Sequence, residues 1–275
     1  MKLTLCNEVV RDLDFPAQCA FARAVGYDGL EIAPFTLGDE PHRLPAASRA
    51  EARRVAADHG IAITGLHYVL LMPAGLSITS GDAATRARTL DVMEGLCGLC
   101  ADLGGRYLVH GSPAQRQLDP ADPEGGRARG EEAFLRAAEF AAAAGVTYIA
   151  EPLGRDQTPF LNTVAEGAAL AGRAVAPSLR TMLDCCSGGT AESEPLDAVL
   201  DRWLPTGLVA HIHVNDPNRR GPGQGDMDFA PIVAALKRNG YGGAIGVEPF
   251  DYVPDGPASA ARAAGYMRAL METVG

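Results

Sequence analysis

The most constraining feature of the chain is an eightfold alternation. Short apolar runs that suit strands covered on both faces are separated by Ala-rich amphipathic stretches of helical period. The runs are Leu3–Glu8, Gly29–Phe35, Ile63–Leu70, Tyr107–Ser112, Thr147–Leu153, Leu179–Cys185, Leu208–Asn215 and Ala244–Phe250. Helices are expected near 15–25, 46–59, 82–103, 128–144, 163–175, 195–203, 229–239 and 257–273. Gly26, Gly60, Gly104, Gly145 and Gly240 fall just past a periodic stretch, where a left-handed terminating residue belongs. Asp82 and Asp228 stand at N-cap positions. Eight strands, each followed by a helix, with no low-complexity linker, define an α/β chain that folds as a single (β/α)₈ TIM barrel over residues 1–275. An open doubly wound sheet fits less well. It has fewer strands and a glycine fingerprint after the first, whereas here the first strand runs into Val9-Val10-Arg11-Asp12.

Composition excludes several functions. With 24 Lys+Arg against 34 Asp+Glu, the net charge is −10. An acidic chain without a basic cluster is unsuited to nucleic acid or an anionic membrane. No apolar run reaches the ~18 residues of a membrane helix, and the N-terminus meets Glu8 too early for a signal peptide. Six cysteines in 275 residues are too sparse for a disulfide scaffold. The expectation is a reduced, cytoplasmic enzyme.

A TIM barrel carries its chemistry at the carboxyl ends of its strands. Polar residues are costly inside apolar strands unless they are paired or bind something, yet they gather at those ends. Glu151, Asp184, His213 and Glu248 come from strands five, six, seven and eight, neighbours around a barrel. Three carboxylates and one imidazole suit one divalent ion of the Mn²⁺, Mg²⁺ or Co²⁺ kind. His211 and His213 share a strand face; His213 lies nearer the rim and His211 one layer lower, as a supporting or packing group. His67 is a candidate pocket residue or a buried, hydrogen-bonded structural histidine, His110 is a candidate pocket residue, and Glu31 suits the rim or pairing with a neighbouring base. Cys97-Gly-Leu-Cys100 matches a redox or zinc pattern but lies inside a helix without further ligands, and reads as core thiols. One of Cys185 and Cys186 is expected to face the pocket. Gly221-Pro-Gly-Gln-Gly225 reads as a mobile loop that closes over substrate, with phosphate binding as the weaker option.

The segments from Glu151 to Thr163, Met182-Leu-Asp184, His211-Ile-His-Val-Asn-Asp-Pro-Asn-Arg219, Pro222-Gly-Gln-Gly225 and Gly246-Val-Glu-Pro-Phe250 resemble the xylose-isomerase-like barrel superfamily. Within it the pattern is most similar to the ketose (tagatose and psicose) 3-epimerases, and the similarity runs from Gly26-Tyr-Asp-Gly-Leu-Glu31 to the last strand. The resemblance implies a metal-dependent isomerase or epimerase of a keto sugar or keto polyol. Glu151, Asp184, His213 and Glu248 would hold one divalent ion, Mn²⁺ first among them. Glu151 and Glu248 would remove and return a proton on opposite faces of the sugar, next to its carbonyl. Arg219 matches the family arginine that contacts substrate hydroxyls. Two positions depart from the family. Ser187 stands where a histidine follows the metal Asp, and Gln157 where a glutamate follows the first metal Glu. Both contact the substrate end next to the ketone, so a reshaped pocket is expected, with Asp156 a partial replacement for the missing charge. A lyase or dehydratase, or a 3-oxo-glycoside deglycosidase, is the alternative on the same scaffold. The DNA-repair endonuclease branch needs more histidines and a basic groove. Relatives are often dimers or tetramers, so the resemblance allows a homo-oligomer.

Overall fold

The computed structural model describes residues 1–274. Eight parallel strands close into a barrel in chain order: β1 (Lys2–Cys6), β2 (Gly29–Ile32), β3 (Ala62–Leu66), β4 (Tyr107–His110), β5 (Thr147–Ala150), β6 (Leu179–Asp184), β7 (Val209–Val214) and β8 (Ala244–Val247), with β8 pairing back to β1. The outer layer comprises α1 (Phe15–Val25), α2 (Ala46–Asp58), α3 (Ala83–Asp102), α4 (Pro123–Ala144), α5 (Val164–Gly172), α6 (Cys185–Ala191), α7 (Leu196–Trp203), α8 (Ala230–Arg238) and α9 (Gly256–Thr273). The (β/α)₈ expectation is met, with one addition: α6 follows β6 without a gap. Asp184 ends the strand and caps that helix, its Oδ1 accepting the Ser187 N–H at 2.7 Å.

All five expected glycine stops have a positive φ, and Asp82 caps α3 by accepting the Thr85 N–H at 2.8 Å. Asp228 does not cap α8. Phe229 holds that position, while Asp228 accepts the Ala230 N–H from one residue further out. Helix α4 begins at Pro123, earlier than the expected 128, because Asp122 caps it and a proline suits the first turn.

Strand alternation sorts side chains between two cores. Leu5, Ile32, Leu108, Tyr148, Leu183, Ile212 and Val247 face outward into the large layer shared with the helices. Tyr107, Val109, Ile149 and Met182 form a separate apolar plug inside the barrel. Ile149 shares its face with Glu151, and Met182 with Asp184, so the plug floors the polar end. A register shift between Thr181 and Met182 sets Met182 opposite His211 and Asp184 opposite His213.

Candidate active site

Glu151, Asp184, His213 and Glu248 converge at the carboxyl end of the barrel. Each offers a ligand atom within 4.8 Å of all the others, and all four are buried. Glycine makes the room. A Cβ at Gly111 would overlap Glu151 Oε2, and one at Gly246 would sit 2.6 Å from His213 Cδ2. One oxygen of Asp184 caps α6, while the other is buried with no hydrogen-bond partner.

The groups are tied into a chain of alternating carboxylates and imidazoles. Glu248 is held at both oxygens, Oε1 by His67 Nδ1 and Oε2 by His213 Nδ1, each at 2.9 Å. On its far side His67 places Nε2 2.8 Å from Glu8 Oε2. His213 Nε2 lies 2.9 Å from Glu31 Oε2, and His211 Nε2 lies 2.8 Å from Glu31 Oε1. The Tyr107 hydroxyl donates to the same Glu31 carboxylate, and its ring lies 4.5 Å from that of His211.

This arrangement splits the carboxyl pKa values. Burial and then the charge of Glu248 hold Glu151 well above the ordinary glutamate value. The same two causes push Asp184 up to about 6. Burial would raise Glu248 too, but the imidazoles of His213 and His67 outweigh it and bring it to about 2. Burial would keep His67 neutral, but Glu8 and Glu248 raise it to about 10. Close buried carboxylates resist joint ionisation without a cation between them. The donor set therefore fits a hard divalent ion: carboxylate oxygens and one nitrogen, with an unpartnered Asp184 oxygen among them. With Nε2–H on Glu31, His213 would present its Nδ1 lone pair.

A cavity of about 560 Å³ opens above the cluster. Glu151, Asp184 and Glu248 form its floor; Arg219, Gln157 and Ser187 line it, as do Tyr68, Asp156 and Cys186. Arg219 takes a left-handed backbone, φ 70°. Its carbonyl accepts the Phe250 and Asp251 N–H groups at 2.8 and 2.9 Å, and its guanidinium lies 5.2 Å from the Phe250 ring centroid. The loop after β7 is thereby fastened to the loop after β8.

Three expectations need correction. His110 does not face the cavity. Tyr107 and Val109 point inward, so His110 points outward, where its Nδ1 meets the Tyr148 hydroxyl at 3.0 Å and its ring lies 4.8 Å from Phe134. Burial, then Arg116, keeps it well below the usual histidine value. His67 also leaves the cavity lining; it is fully buried behind Glu248. The 221–225 segment is not a loose lid. Asp216 accepts the Asn218 and Met227 N–H groups, Asn218 donates to the Gln224 carbonyl, and Gln224 donates to the Val253 carbonyl. Glu31 sits beneath the floor paired with His211 and His213, the second of its two expected placements. Cys97 and Cys100 are buried core thiols, Cys100 donating to the Tyr107 carbonyl. Sequence reasoning missed Glu8 and Tyr107. Glu8, acidic at the end of the apolar first strand, was the available signal; Tyr107 left none.

A closed parallel barrel with ionisable groups clustered at its carboxyl rim defines an enzyme-like TIM barrel. The chain belongs to the xylose isomerase-like TIM barrel family, whose model matches residues 19–270. It is 30% identical over 235 residues to a D-psicose 3-epimerase of Agrobacterium fabrum, covering 82% of this chain and 76% of that one. It is also 30% identical over 200 residues to an L-ribulose 3-epimerase of Mesorhizobium japonicum, covering 72% and 65%. In three dimensions it is similar to a D-psicose 3-epimerase from Clostridium cellulolyticum H10 crystallised with D-tagatose. There the TM-score is 0.83 at 21% identity, over 99% of this chain and 100% of the other, a likeness of fold.

Proposed function

We propose that this chain is a divalent-metal-dependent epimerase or isomerase of a keto sugar. The observation that carries the reading is the buried group Glu151, Asp184, His213 and Glu248, gathered under an open cavity. The ketose 3-epimerase relatives supply the substrate class. Manganese is the first candidate and magnesium or cobalt the others, on the oxygen-rich donor set.

A C–H next to a carbonyl is a very weak acid. Its removal needs a base within reach and positive charge beside the oxygen that becomes negative. A divalent cation held by the four side chains supplies that charge. The chain supplies the rest. Glu248, kept ionised by two imidazoles, is poised to take a proton. Glu151 approaches from β5 and is poised to deliver one. Two bases on opposite faces permit inversion, whereas a single base returns the proton to the face it came from. Arg219, fixed by its backbone and by Phe250, would bind substrate hydroxyls, with Gln157 and Ser187 contacting the end beside the ketone. The apolar plug under the cluster excludes water from below and strengthens each charge interaction above it.

The test is proton exchange. The Mn²⁺-loaded protein is incubated with ketopentoses and ketohexoses in D₂O and followed by NMR. Deuterium should enter the carbon next to the carbonyl as the epimer forms. Exchange accompanied by loss of water or of an aglycone would convert the reading to a lyase or deglycosidase. An absence of exchange with every keto sugar would refute it.

A further inference from the structure

We propose that Glu8 and His67 form a positioning dyad that sets the orientation of the Glu248 carboxylate, an inference that rests on the metal and two-base reading above. Three features carry it. The dyad is dry: His67 is fully buried and Glu8 7% exposed. It is in contact throughout: Glu8 Oε2 lies 2.8 Å from His67 Nε2 as an ion-pair contact without hydrogen-bond geometry, and His67 Nδ1 is hydrogen-bonded to Glu248 Oε1 at 2.9 Å. It is also one-sided. Glu248 is gripped by ring nitrogens at both oxygens, whereas among the described residues no side chain hydrogen-bonds to Glu151, whose Oε2 lies against Gly111.

The geometry gives the dyad a specific task. His213 Nδ1 is the nitrogen available to a cation, so its bond to Glu248 Oε2 is the one that would be surrendered on metal binding. His67 would then be the remaining side-chain hydrogen bond on Glu248. It occupies Oε1 and leaves Oε2 for the metal and the substrate carbon. Glu8, from the turn after β1, fixes the His67 ring through its contact with Nε2. Partners behind a ligating carboxylate typically change metal affinity or activity by about 10–100-fold. Glu8 and His67 touch no cavity surface, so their effect must pass through Glu248.

The experiment compares His67→Leu, His67→Asn and Glu8→Gln with the wild type. Mn²⁺ affinity is measured by calorimetry, which needs no substrate. His67→Leu is expected to weaken Mn²⁺ binding by about 10–100-fold. His67→Asn, whose amide nitrogen can stand where Nδ1 stood, should restore most of the loss, and Glu8→Gln should give a smaller fall in the same direction. Mn²⁺ binding as tight as wild type in His67→Leu would overturn the proposal. Should that variant fail to fold by circular dichroism, Glu8→Gln decides by the same criterion. The second readout is the ratio of solvent exchange to conversion, starting from each of the two epimers. Weakening Glu248 alone should raise the ratio from the epimer deprotonated by Glu151 and lower it from the other. A general structural defect would move both the same way, and equal shifts would overturn the assignment. If the wild type exchanges no keto sugar, the functional reading falls, while the Mn²⁺ titration still decides the role of the dyad.

Discussion

At the scale of single residues the site is a contest between burial and charge. Asp184 is raised to about 6 by burial and then by Glu248, and the same two causes raise Glu151 well above its usual value. A carboxyl whose folded pKa is raised contributes stability in full below its unfolded value and loses it as pH rises through the folded one. For Asp184 that window runs from about 4 to 6. The metal-free protein should lose stability across it, while Mn²⁺, taking the place of the proton, should bind more tightly as pH rises from 5 to 7. Thermal melts with and without Mn²⁺ across that range should diverge; a constant difference would contradict the electrostatic picture. Gly246 makes the complementary steric test. A methyl group there meets the His213 ring at 2.6 Å, so Gly246→Ala should lower Mn²⁺ affinity by about tenfold or more, measured by calorimetry. Sequence alone disclosed the four converging side chains because polar residues at apolar strand ends stand out. It placed His110 wrongly because which alternate residues face inward depends on the exact phase of a four-residue strand. Strand β4 places Tyr107 and Val109 inside.

The elements owe their positions to signals of unequal visibility. Glycine stops and the Asp82 cap were readable because each has a local backbone cause. Helix α6 was not, since Asp184 serves as strand end and helix cap together and Cys-Cys-Ser-Gly-Gly has little helical period. Asp184→Asn should therefore separate two roles. The amide oxygen can still accept the Ser187 N–H, so below pH 4 the melting temperature of the metal-free protein should change little and above pH 6 it should rise as the buried charge is removed, whereas Mn²⁺ binding should be lost. The segment after β7 reads from sequence as a mobile glycine-rich loop, yet Asp216 pins it at two backbone N–H groups. Asp216→Ala leaves those donors unpaired and should cost about 1–3 kcal/mol. It should also raise KM more than it lowers kcat, because Arg219 loses its support; steady-state kinetics with the assigned sugar would show the split.

For the whole molecule, eight parallel strands raise four side chains from β5 to β8 to one height above an apolar plug. No helix among the described residues is long and apolar enough to cross a membrane. A cation bound only to the folded chain stabilises it by mass action, about 2.7 kcal/mol at a hundredfold excess over Kd. EDTA should therefore lower the melting temperature by several degrees and Mn²⁺ restore it; scanning calorimetry decides. The hydrogen bonds from Phe250 and Asp251 to the Arg219 carbonyl have a consequence for how such a catalyst diversifies. One wall of the cavity is riveted across two connections, so drift there would disturb both at once. New specificity is more readily acquired on the opposite wall, at Asp156, Gln157 and Ser187, where change leaves the rivet untouched.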